Sequence, residues 1–329
     1  MINDLSLNIR PRRNRQAPWV RELVAEVNVS ASDLIMPFFV IEGKNKKEAI
    51  KSLPDQYRFS IDLLVKEVKK ARELGIPAIM LFPFTDPKLK TDNGIEALNP
   101  NNLVCRAVRE IKKQVPDIGV ICDVALDPYT SHGHDGLLSK DKKYVLNDET
   151  VEILCEQAFI CAEAGCDFVA PSDMMDGRIG AIREYLDERG FENVGIISYA
   201  AKYASNFYGA FRNAVGSDKN LKTGDKKNYQ MDFRNKIEAL REITLDEMEG
   251  ADMLIIKPGI AYLDIVSLAK ENSDLPIISY QVSTEYSMLK LAAKEGLIDF
   301  KAGLYETLVA FKRAGATAII SYGAMEILK

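Results

Sequence analysis

Eight short apolar runs recur along this chain from residue 34 onward, and longer charged segments separate them. The runs are "LIMPFFV" (34–40), "AIMLF" (78–82), "GVICDVAL" (119–126), "FVAPS" (168–172), "VGIISYA" (194–200), "MLIIKPG" (253–259), "PIISYQVS" (276–283) and "AIISYG" (318–323). Near-continuous apolar runs are typical of parallel strands that are buried on both faces. The segment 61–74 between two of them has apolar residues at helical spacing. Eight strand–helix repeats predict an α/β fold, a (β/α)8 TIM barrel over residues 34–329.

An open doubly wound sheet is the alternative, but no G-x-G-x-x-G follows the first run, so its dinucleotide-binding version lacks the fingerprint. Residues 1–33 precede the repeats and do not share their pattern. They include a basic cluster, "RPRRNR" (10–15), and the only tryptophan, Trp19, with Leu23 nearby. A solvated tail has no obvious use for these apolar groups. We therefore favour an N-terminal arm, residues 1–33, that docks on a neighbouring subunit.

The composition argues against several classes of function. Hydrophobic residues make up 47% and charged residues 28% of the 329 residues, as in ordinary globular proteins. The net charge of −5 argues against a nucleic-acid partner. The start of the chain has no apolar signal-peptide core, and no apolar stretch is long enough to span a membrane. Five cysteines without regular spacing do not indicate a disulfide framework, so we expect a protein of the reducing cytoplasm.

Polar residues lie at the carboxyl ends of the predicted strands, which is where barrels of this type carry their active sites. These residues are Asp123, Asp127, Ser172, Asp173, Lys202, Lys257, Ser283 and Tyr322. A partly desolvated lysine has a lowered pKa, and a second lysine lowers it further. The neutral amine can form a Schiff base with a ketone. Two such lysines suggest two carbonyl substrates held covalently, whereas structural ion pairs with acids are the alternative.

Two loops near these strand ends also invite a functional interpretation. The stretch "DVALDPYTSHGHDG" (123–136) holds three aspartates and both histidines, so it is either a metal site or a polar loop bonded to its own backbone. The connection 203–231 is long for a strand–helix link and carries Arg212 and Gln230. Long connections are often lids. A disordered surface loop is the alternative, although the aromatic residues in 206–212 argue against full disorder.

The chain resembles the 5-aminolevulinate dehydratase family, also called the porphobilinogen synthase family, over nearly its whole length. The resemblance rests on "RPRRNR", "DVALDPYTSHGHDG", "APSDMMDGRIGAIRE", "KYASNFYGAFR", "KNYQMDFRN", "GADMLIIKPGIAYLDIV" and "YQVSTEYSM". It implies that two molecules of 5-aminolevulinate are joined into porphobilinogen with loss of two waters, a step in tetrapyrrole biosynthesis. It also implies a (β/α)8 barrel with an N-terminal arm and assembly as a homo-octamer.

The resemblance further implies roles for individual residues. Lys257 would bind the first substrate and Lys202 the second, each as a Schiff base. The first substrate's carboxylate would be held by Ser283 and Tyr322. The residues implied for the second carboxylate and for the walls of the pocket are Arg212, Lys226 and Gln230, with Tyr208 and Phe211. The remaining candidate substrate-binding residues are Asp123, Asp127, Asp135 and Ser172.

Metal use varies within the family, and the sequence bears on it. Zinc-dependent members have three cysteines where this chain has Ala125, Asp127 and Asp135, so no catalytic zinc is expected. The pattern resembles the magnesium-responsive branch, which implies an allosteric Mg²⁺ at a subunit interface near Glu242. Asp127 and Asp135 would also suit a hard cation in the active site, and this point stays open.

Two further points qualify the resemblance. The family usually has glycine where this chain has Thr284, and a threonine would be strained there if that backbone has positive φ. A different Schiff-base barrel, such as an aldolase, needs only one of the two lysines. A non-catalytic binding protein on the same scaffold is disfavoured, because both lysines and the carboxylate-binding set are present.

Overall fold

The computed structural model describes residues 7–216 and 225–329, and its centre is a closed barrel of eight parallel strands. The strands are β1 (Leu34–Ile41), β4 (Ala78–Phe84), β5 (Gly119–Val124), β6 (Phe168–Pro171), β7 (Gly195–Lys202), β8 (Met253–Lys257), β9 (Ile277–Gln281) and β10 (Ala318–Ser321). They are neighbours in chain order, and β10 pairs with β1 to close the ring, with Leu34 opposite Ile319. The prediction of a (β/α)8 TIM barrel is confirmed.

Helices accompany the strands along the chain: the first precedes the barrel, the last follows it, and the others lie between strands. They are α1 (Pro18–Leu23), α2 (Ile61–Glu73), α3 (Leu103–Gln114), α4 (Asn147–Glu163), α5 (Arg178–Asp187), α6 (Gly209–Val215), α7 (Ile237–Met248), α8 (Leu263–Asn272), α9 (Ser283–Lys294), α10 (Phe300–Ala314) and α11 (Ala324–Ile327). A second layer of apolar side chains lies between helices and strands, and it includes Leu64, Val108 and Leu308. The barrel interior is filled by others, among them Phe39 and Met80.

All eight predicted runs are strands, but some of the predicted bounds were wrong. The fifth strand was expected to stop at residue 200 and continues through Lys202, so this lysine is part of the barrel wall. The third was expected to reach residue 126 and ends at Val124. Residues after Val124 turn into a loop that bonds to itself, with Leu126 N–H donating to the Asp135 carbonyl at 3.1 Å.

A small hairpin after β1 was not predicted. It consists of β2 (Lys47–Ala49) and β3 (Tyr57–Phe59), which pair antiparallel, and β3 also pairs with the end of β1. Three-residue strands give almost no periodicity in a sequence, so the sequence pattern did not predict this hairpin. It lies beside the carboxyl ends of the strands and therefore beside the site described below.

The N-terminal segment behaves differently from the barrel. No residue of α1 is buried, and Trp19 is 67% exposed. Attachment to the barrel begins near the end of this segment, where Val29 packs against the core and the Asp33 carboxylate lies 2.8 Å from Lys312 Nζ. The boundary at residue 33 and docking on a second subunit both stay predictions.

Across residues 7–216 and 225–329, the model contains no helix that has both the length and the apolar character needed to cross a membrane.

Candidate active site

A cavity of about 380 Å³ opens at the carboxyl ends of the barrel strands. Its lining gathers most of the site residues that were predicted from the sequence. They are Asp123, Asp127, Asp135, Ser172, Lys202, Tyr208, Phe211, Arg212, Lys226, Gln230 and Lys257. Parallel strands bring their ends to one face, so residues that are far apart in sequence meet here.

Lys257 is the last residue of β8 and is 4% exposed. Its Nζ lies over the rings of Tyr280 (4.4 Å), Phe211 (4.8 Å), Tyr199 (5.1 Å) and Tyr208 (5.4 Å). Burial, and then the neighbouring Lys202, lowers the pKa of Lys257 to about 7. A substantial share of this amine is therefore neutral at physiological pH, as a nucleophile requires.

Lys202 ends β7 and lies directly opposite Lys257 in the register of the two strands. Its surroundings are oxygens. The ammonium donates a short hydrogen bond to the carbonyl of Ser172, and Nζ lies 3.9 Å from Asp135 Oδ1. Two interactions therefore orient Lys202, one with the residue that follows β6 and one with the loop that follows β5.

Asp135 is the centre of a buried charged group that also includes Lys226, Asp127 and Gln230. Lys226 Nζ lies 3.0 Å from Asp135 and 3.7 Å from Asp127, and Gln230 Nε2 donates to Asp135 at 3.3 Å. Burial alone would raise the pKa of Asp135, but Lys202 and Lys226 outweigh it and bring that pKa to about 2. Burial raises the pKa of Asp127, against the opposing effect of Lys226. Both carboxylates face an ammonium group.

Asp123 has a different environment. Burial raises its pKa to about 7, although the two catalytic-site lysines oppose this shift. Its Oδ1 is buried without a hydrogen-bond partner among the described residues. A carboxyl group with this pKa beside two amines is suited to exchange protons with them near neutral pH.

The short helix α6 and the residue before it supply one wall of the cavity. Tyr208 donates from its hydroxyl to the carbonyl of Lys257 at 3.2 Å, which ties this wall to the end of β8. Phe211 packs edge-on against Phe82, with ring centroids 5.1 Å apart. Arg212 follows on the same helix and also lines the cavity. The predicted lid, 203–231, includes residues 217–224, which lie outside the described part of the chain.

Ser283 and Tyr322 do not line the cavity. The hydroxyls of Tyr322 and Tyr280 are 3.2 Å apart, and the Tyr280 ring is the one closest to Lys257 Nζ. Ser283 is fully buried, and its Oγ has no hydrogen-bond partner among the described residues. The expected strain at Thr284 is absent, because this residue lies in the first turn of α9 and does not have positive φ.

Sequence reasoning missed several residues that shape the site. Tyr199 and Tyr280 lie inside predicted strands, where nothing distinguished them from core residues. Glu285 accepts backbone hydrogen bonds from Ile260 (2.7 Å) and Val282 (2.9 Å), so it joins the loop after Lys257 to the start of α9. A glutamate three residues into a helix is the signal of a capping box and was available in the sequence.

A buried ion network lies behind the Lys202 side of the cavity. Arg178, at the start of α5, lies 3.2 Å from Asp246 Oδ1 on α7 and 3.7 Å from Asp173 Oδ2. Its Nη2 also donates to the carbonyl of Tyr199 at 3.1 Å. The network therefore joins α7 to strand β7, three residues before Lys202.

Glu242, the predicted allosteric metal residue, lies one turn before Asp246 on α7 and is half-buried. It lines a second cavity of about 790 Å³ with Asp176, Glu238 and Gln230 among others. Burial, and then Asp246, raises the pKa of Glu242. No group of three or more His, Cys, Asp or Glu residues is arranged to hold a metal within residues 7–216 and 225–329.

Paired buried lysines on adjacent strands of a (β/α)8 barrel are suited to hold carbonyl substrates as Schiff bases, which is the chemistry of one class of barrel enzymes. Comparison with known proteins is more specific. The family model described as "Delta-aminolevulinic acid dehydratase" matches residues 8–329, so the chain belongs to the delta-aminolevulinic acid dehydratase family.

Individual relatives agree with this family. A delta-aminolevulinic acid dehydratase of Bradyrhizobium diazoefficiens is 57% identical and covers 97% of this chain and 90% of its own length. One from Chlamydia pneumoniae is 48% identical over 100% of this chain and 98% of its own length. The crystal structure of the Toxoplasma gondii enzyme in complex with its product porphobilinogen superposes with a TM-score of 0.97, at 48% identity, covering 99% of this chain and 92% of that one.

Proposed function

We propose that this chain is a porphobilinogen synthase, a hydro-lyase that condenses two molecules of 5-aminolevulinate with loss of two waters, in tetrapyrrole biosynthesis. Membership of the family supports the reaction. The observation that carries the assignment of residues is the placement of Lys202 and Lys257 opposite each other on adjacent strands, both facing one cavity. Two ketone substrates bound to these amines would lie side by side.

Lys257 is the residue that we assign to the first substrate. Its neutral amine attacks the ketone carbon, and loss of water gives a Schiff base that leaves the ring of Tyr280 beneath the bound carbon chain. We assign the carboxylate of this substrate to Ser283 and Tyr322, and the Tyr322 hydroxyl lies 3.2 Å from that of Tyr280. The unpartnered Ser283 Oγ supports this assignment, because a buried hydroxyl without a partner is costly unless a ligand supplies one.

Lys202 is the residue that we assign to the second substrate. Asp135 and the Ser172 carbonyl hold its side chain in place. Lys226 and Gln230 contact Asp135 beside Lys202, and Arg212 also lines the cavity. Together they supply the positive charge and amide donor that a second carboxylate needs. Asp123 lies near both amines and would transfer protons between them during the two dehydrations.

The test is an assay for porphobilinogen from 5-aminolevulinate, run beside borohydride trapping of the lysine adducts. Porphobilinogen formation with adducts on both lysines is the expected result. An adduct on Lys257 alone, with turnover retained in Lys202→Ala, would favour an aldolase-type mechanism. Substrate binding without any covalent adduct would favour a non-catalytic binding protein.

We further propose that Mg²⁺ acts allosterically near Glu242 and that no catalytic zinc is used. Asp127 and Asp135 each face Lys226 and are therefore already paired with a cation, which leaves them poorly suited to a metal. Around Glu242 the carboxylates of Asp176 and Glu238 add negative charge, whereas Asp246 is paired with Arg178. Mg²⁺ keeps most of its waters and needs only one or two carboxylates, so Glu242 fits such an ion. Bound there, the ion would supply charge neutralisation.

A homo-octameric assembly and a cytoplasmic location complete the proposal. The exposed arm, with Trp19 67% and Leu23 76% accessible, has apolar groups available for a neighbouring subunit. All five cysteines are buried free thiols, which suits a reducing compartment. Light scattering of the full chain and of a chain lacking residues 1–33 tests the assembly. We expect the truncated chain to form smaller, less active assemblies, and an unchanged octamer would remove the arm from this role.

A further inference from the structure

The unpredicted hairpin carries a buried arginine, Arg58, that holds the helix bearing Phe211 and Arg212. We propose that Arg58 is a positioning residue for the second-carboxylate site. The inference rests on the proposed function, because it takes Arg212 to bind substrate. Arg58 lies on β3 and is 7% exposed, and it does not line the cavity. Its effect on the reaction is therefore indirect and passes through α6.

The guanidinium group of Arg58 closes the carboxyl end of α6. Nε donates to the carbonyl of Ala214 at 2.7 Å, and Nη2 donates to the carbonyl of Asn213 at 2.6 Å. The last carbonyls of a helix lack donors within the helix, so an external donor satisfies them. A positive charge at this end also interacts favourably with the helix dipole. The planar fork of arginine matches two successive carbonyls in a way that a single ammonium does not.

The surroundings fix Arg58 itself. Its guanidinium lies over the ring of Phe84 at 4.1 Å, and Nη1 pairs with Glu48 of the same hairpin at 2.5 Å. Phe84 also touches the end of α6, because a Cβ added at Gly216 would lie 2.7 Å from Phe84 Cε2. Gly216 has φ +69° and terminates the helix. Arg58, Phe84 and Gly216 are thus packed together at the carboxyl end of α6.

Helix α6 depends on these contacts because it is short. It has seven residues, and helices of that length are not stable by themselves in water. Arg212 lies two residues before Ala214, so any shift of the carboxyl end of α6 moves the Arg212 side chain relative to Lys202. The hairpin makes a second attachment, since Ser52 Oγ donates to the carbonyl of Ala210 at 3.2 Å. The hairpin therefore controls where α6 lies.

The experiment compares Arg58→Met with a matched control, Arg183→Met. Arg183 also donates to two backbone carbonyls, those of Val194 (2.6 Å) and Phe191 (3.1 Å), and also pairs with a carboxylate at 2.5 Å, but these carbonyls lie between α5 and β7 and not on α6. Three quantities are measured in both variants and in Arg58→Lys. They are the half-saturating substrate concentration for turnover, that for borohydride trapping at Lys257, and hydrogen exchange of the α6 amides.

In Arg58→Met we expect the half-saturating concentration for turnover to rise about tenfold or more, since small misplacements near a site have effects of this size. Trapping at Lys257 should change less, by about twofold, because the Tyr208–Lys257 hydrogen bond and the packing of Phe211 on Phe82 hold the start of α6 independently of its carboxyl end. Exchange in α6 should become faster. Arg58→Lys should lie between wild type and Arg58→Met, and Arg183→Met should change none of the three quantities.

The inference is overturned if Arg183→Met changes turnover as much as Arg58→Met does, since the loss would then reflect stability alone. It is also overturned if α6 exchanges at the wild-type rate in Arg58→Met, whatever the activity. A wild-type protein that makes no porphobilinogen would instead remove the proposed function. In that case the exchange measurement still decides whether Arg58 holds α6, so the two failures can be told apart.

Discussion

Lys202 and Lys257 occupy paired positions on neighbouring strands, yet their surroundings differ in kind. Lys257 lies among four aromatic rings whose centroids are 4.4 to 5.4 Å from its Nζ. Lys202 has the Ser172 carbonyl and the Asp135 carboxylate as its partners. One pocket is therefore apolar and the other is charged, although the strand geometry that produces them is the same.

This difference indicates a division of labour between the two halves of the cavity. Lys257 makes no ion pair with the described residues, and burial outweighs the attraction of Asp123, so its neutral, nucleophilic form is favoured. An ammonium held between a carbonyl and a carboxylate is oriented instead. The apolar half is suited to start the chemistry on the first substrate. The charged half is suited to place a second substrate, with its own carboxylate, in a fixed direction.

Removal of either amine is the strongest test of this comparison. Lys257→Ala should abolish porphobilinogen formation and the first covalent adduct. Lys202→Ala should lower turnover by about 1000-fold or more while the adduct on Lys257 remains, because joining the substrates requires both to be oriented together. Turnover and adduct mass are measured for each variant, with the exposed Lys301→Ala as control. Turnover within tenfold of wild type in either active-site variant would refute the two-lysine mechanism.

Arg212→Ala should distinguish the two halves by affinity. Loss of a charged partner for a carboxylate corresponds to about a tenfold to hundredfold loss of binding. We expect this loss in the substrate concentration needed for turnover, and a much smaller one in the concentration needed to trap Lys257. Arg241→Ala, an exposed arginine on α7, serves as control. Equal losses in both measurements would mean that Arg212 does not belong to one pocket.

The pH dependence of trapping at Lys257 gives a finer test. With a pKa lowered to about 7, the amine is protonated below this pH and neutral above it. The initial trapping rate should therefore rise about tenfold from pH 6 to pH 8 and then level off. The carboxylate of Asp123 opposes the shift, so Asp123→Asn should lower the pKa of Lys257 further and move the midpoint to lower pH. Exposed Asp117→Asn should leave the midpoint unchanged, and a midpoint near 10 in wild type would contradict the apolar pocket.

Much of the barrel and of this site could be predicted from the sequence. Runs of four to eight apolar residues mark buried parallel strands, and polar residues at their ends mark the active face. That reasoning led to Lys202, Lys257, Asp123 and Ser172, all of which line the cavity. The resemblance to a family added Arg212 and Lys226, which lie on a connection whose path periodicity alone does not define.

Other features depended on three-dimensional contacts that leave little trace in the sequence. The aromatic residues around Lys257 come from three separate elements, and Tyr280 looks like any core residue of a strand. The hairpin with Arg58 is too short to show a period. The pairing of Asp127 and Asp135 with Lys226 joins residues 91 or more positions apart, so the loop could equally have been a metal site. Only the packing of the connection 225–231 against that loop decides between these interpretations.

The response to metal should be the smallest effect, and it should fall on the charged half. Glu242 shares its cavity with Gln230, which also lines the active site and bonds to Asp135. A second route runs through α7, where Asp246 binds Arg178 and Arg178 binds the Tyr199 carbonyl of strand β7. Both routes lead toward Lys202. An ion at Glu242 that favours the assembled form would raise activity by mass action.

We therefore expect Mg²⁺ to raise turnover several-fold, as is typical of allosteric coupling, and chelation of zinc to leave the chemistry intact. Glu242→Ala should remove the Mg²⁺ response. Trapping at Lys257 should change much less with the ion, because the first route ends at Asp135 beside Lys202 and the second reaches only the main-chain carbonyl of Tyr199, not its ring. Glu247→Ala, on the same helix but outside the cavity, is the control. Activity and size-exclusion profiles are recorded with EDTA, Mg²⁺ and Zn²⁺.

Strict dependence on zinc would overturn the interpretation of Asp127 and Asp135 as partners of Lys226. A Mg²⁺ response that survives in Glu242→Ala would place the ion at those two aspartates, and the charged half of the cavity would then be a metal site as well as a binding site.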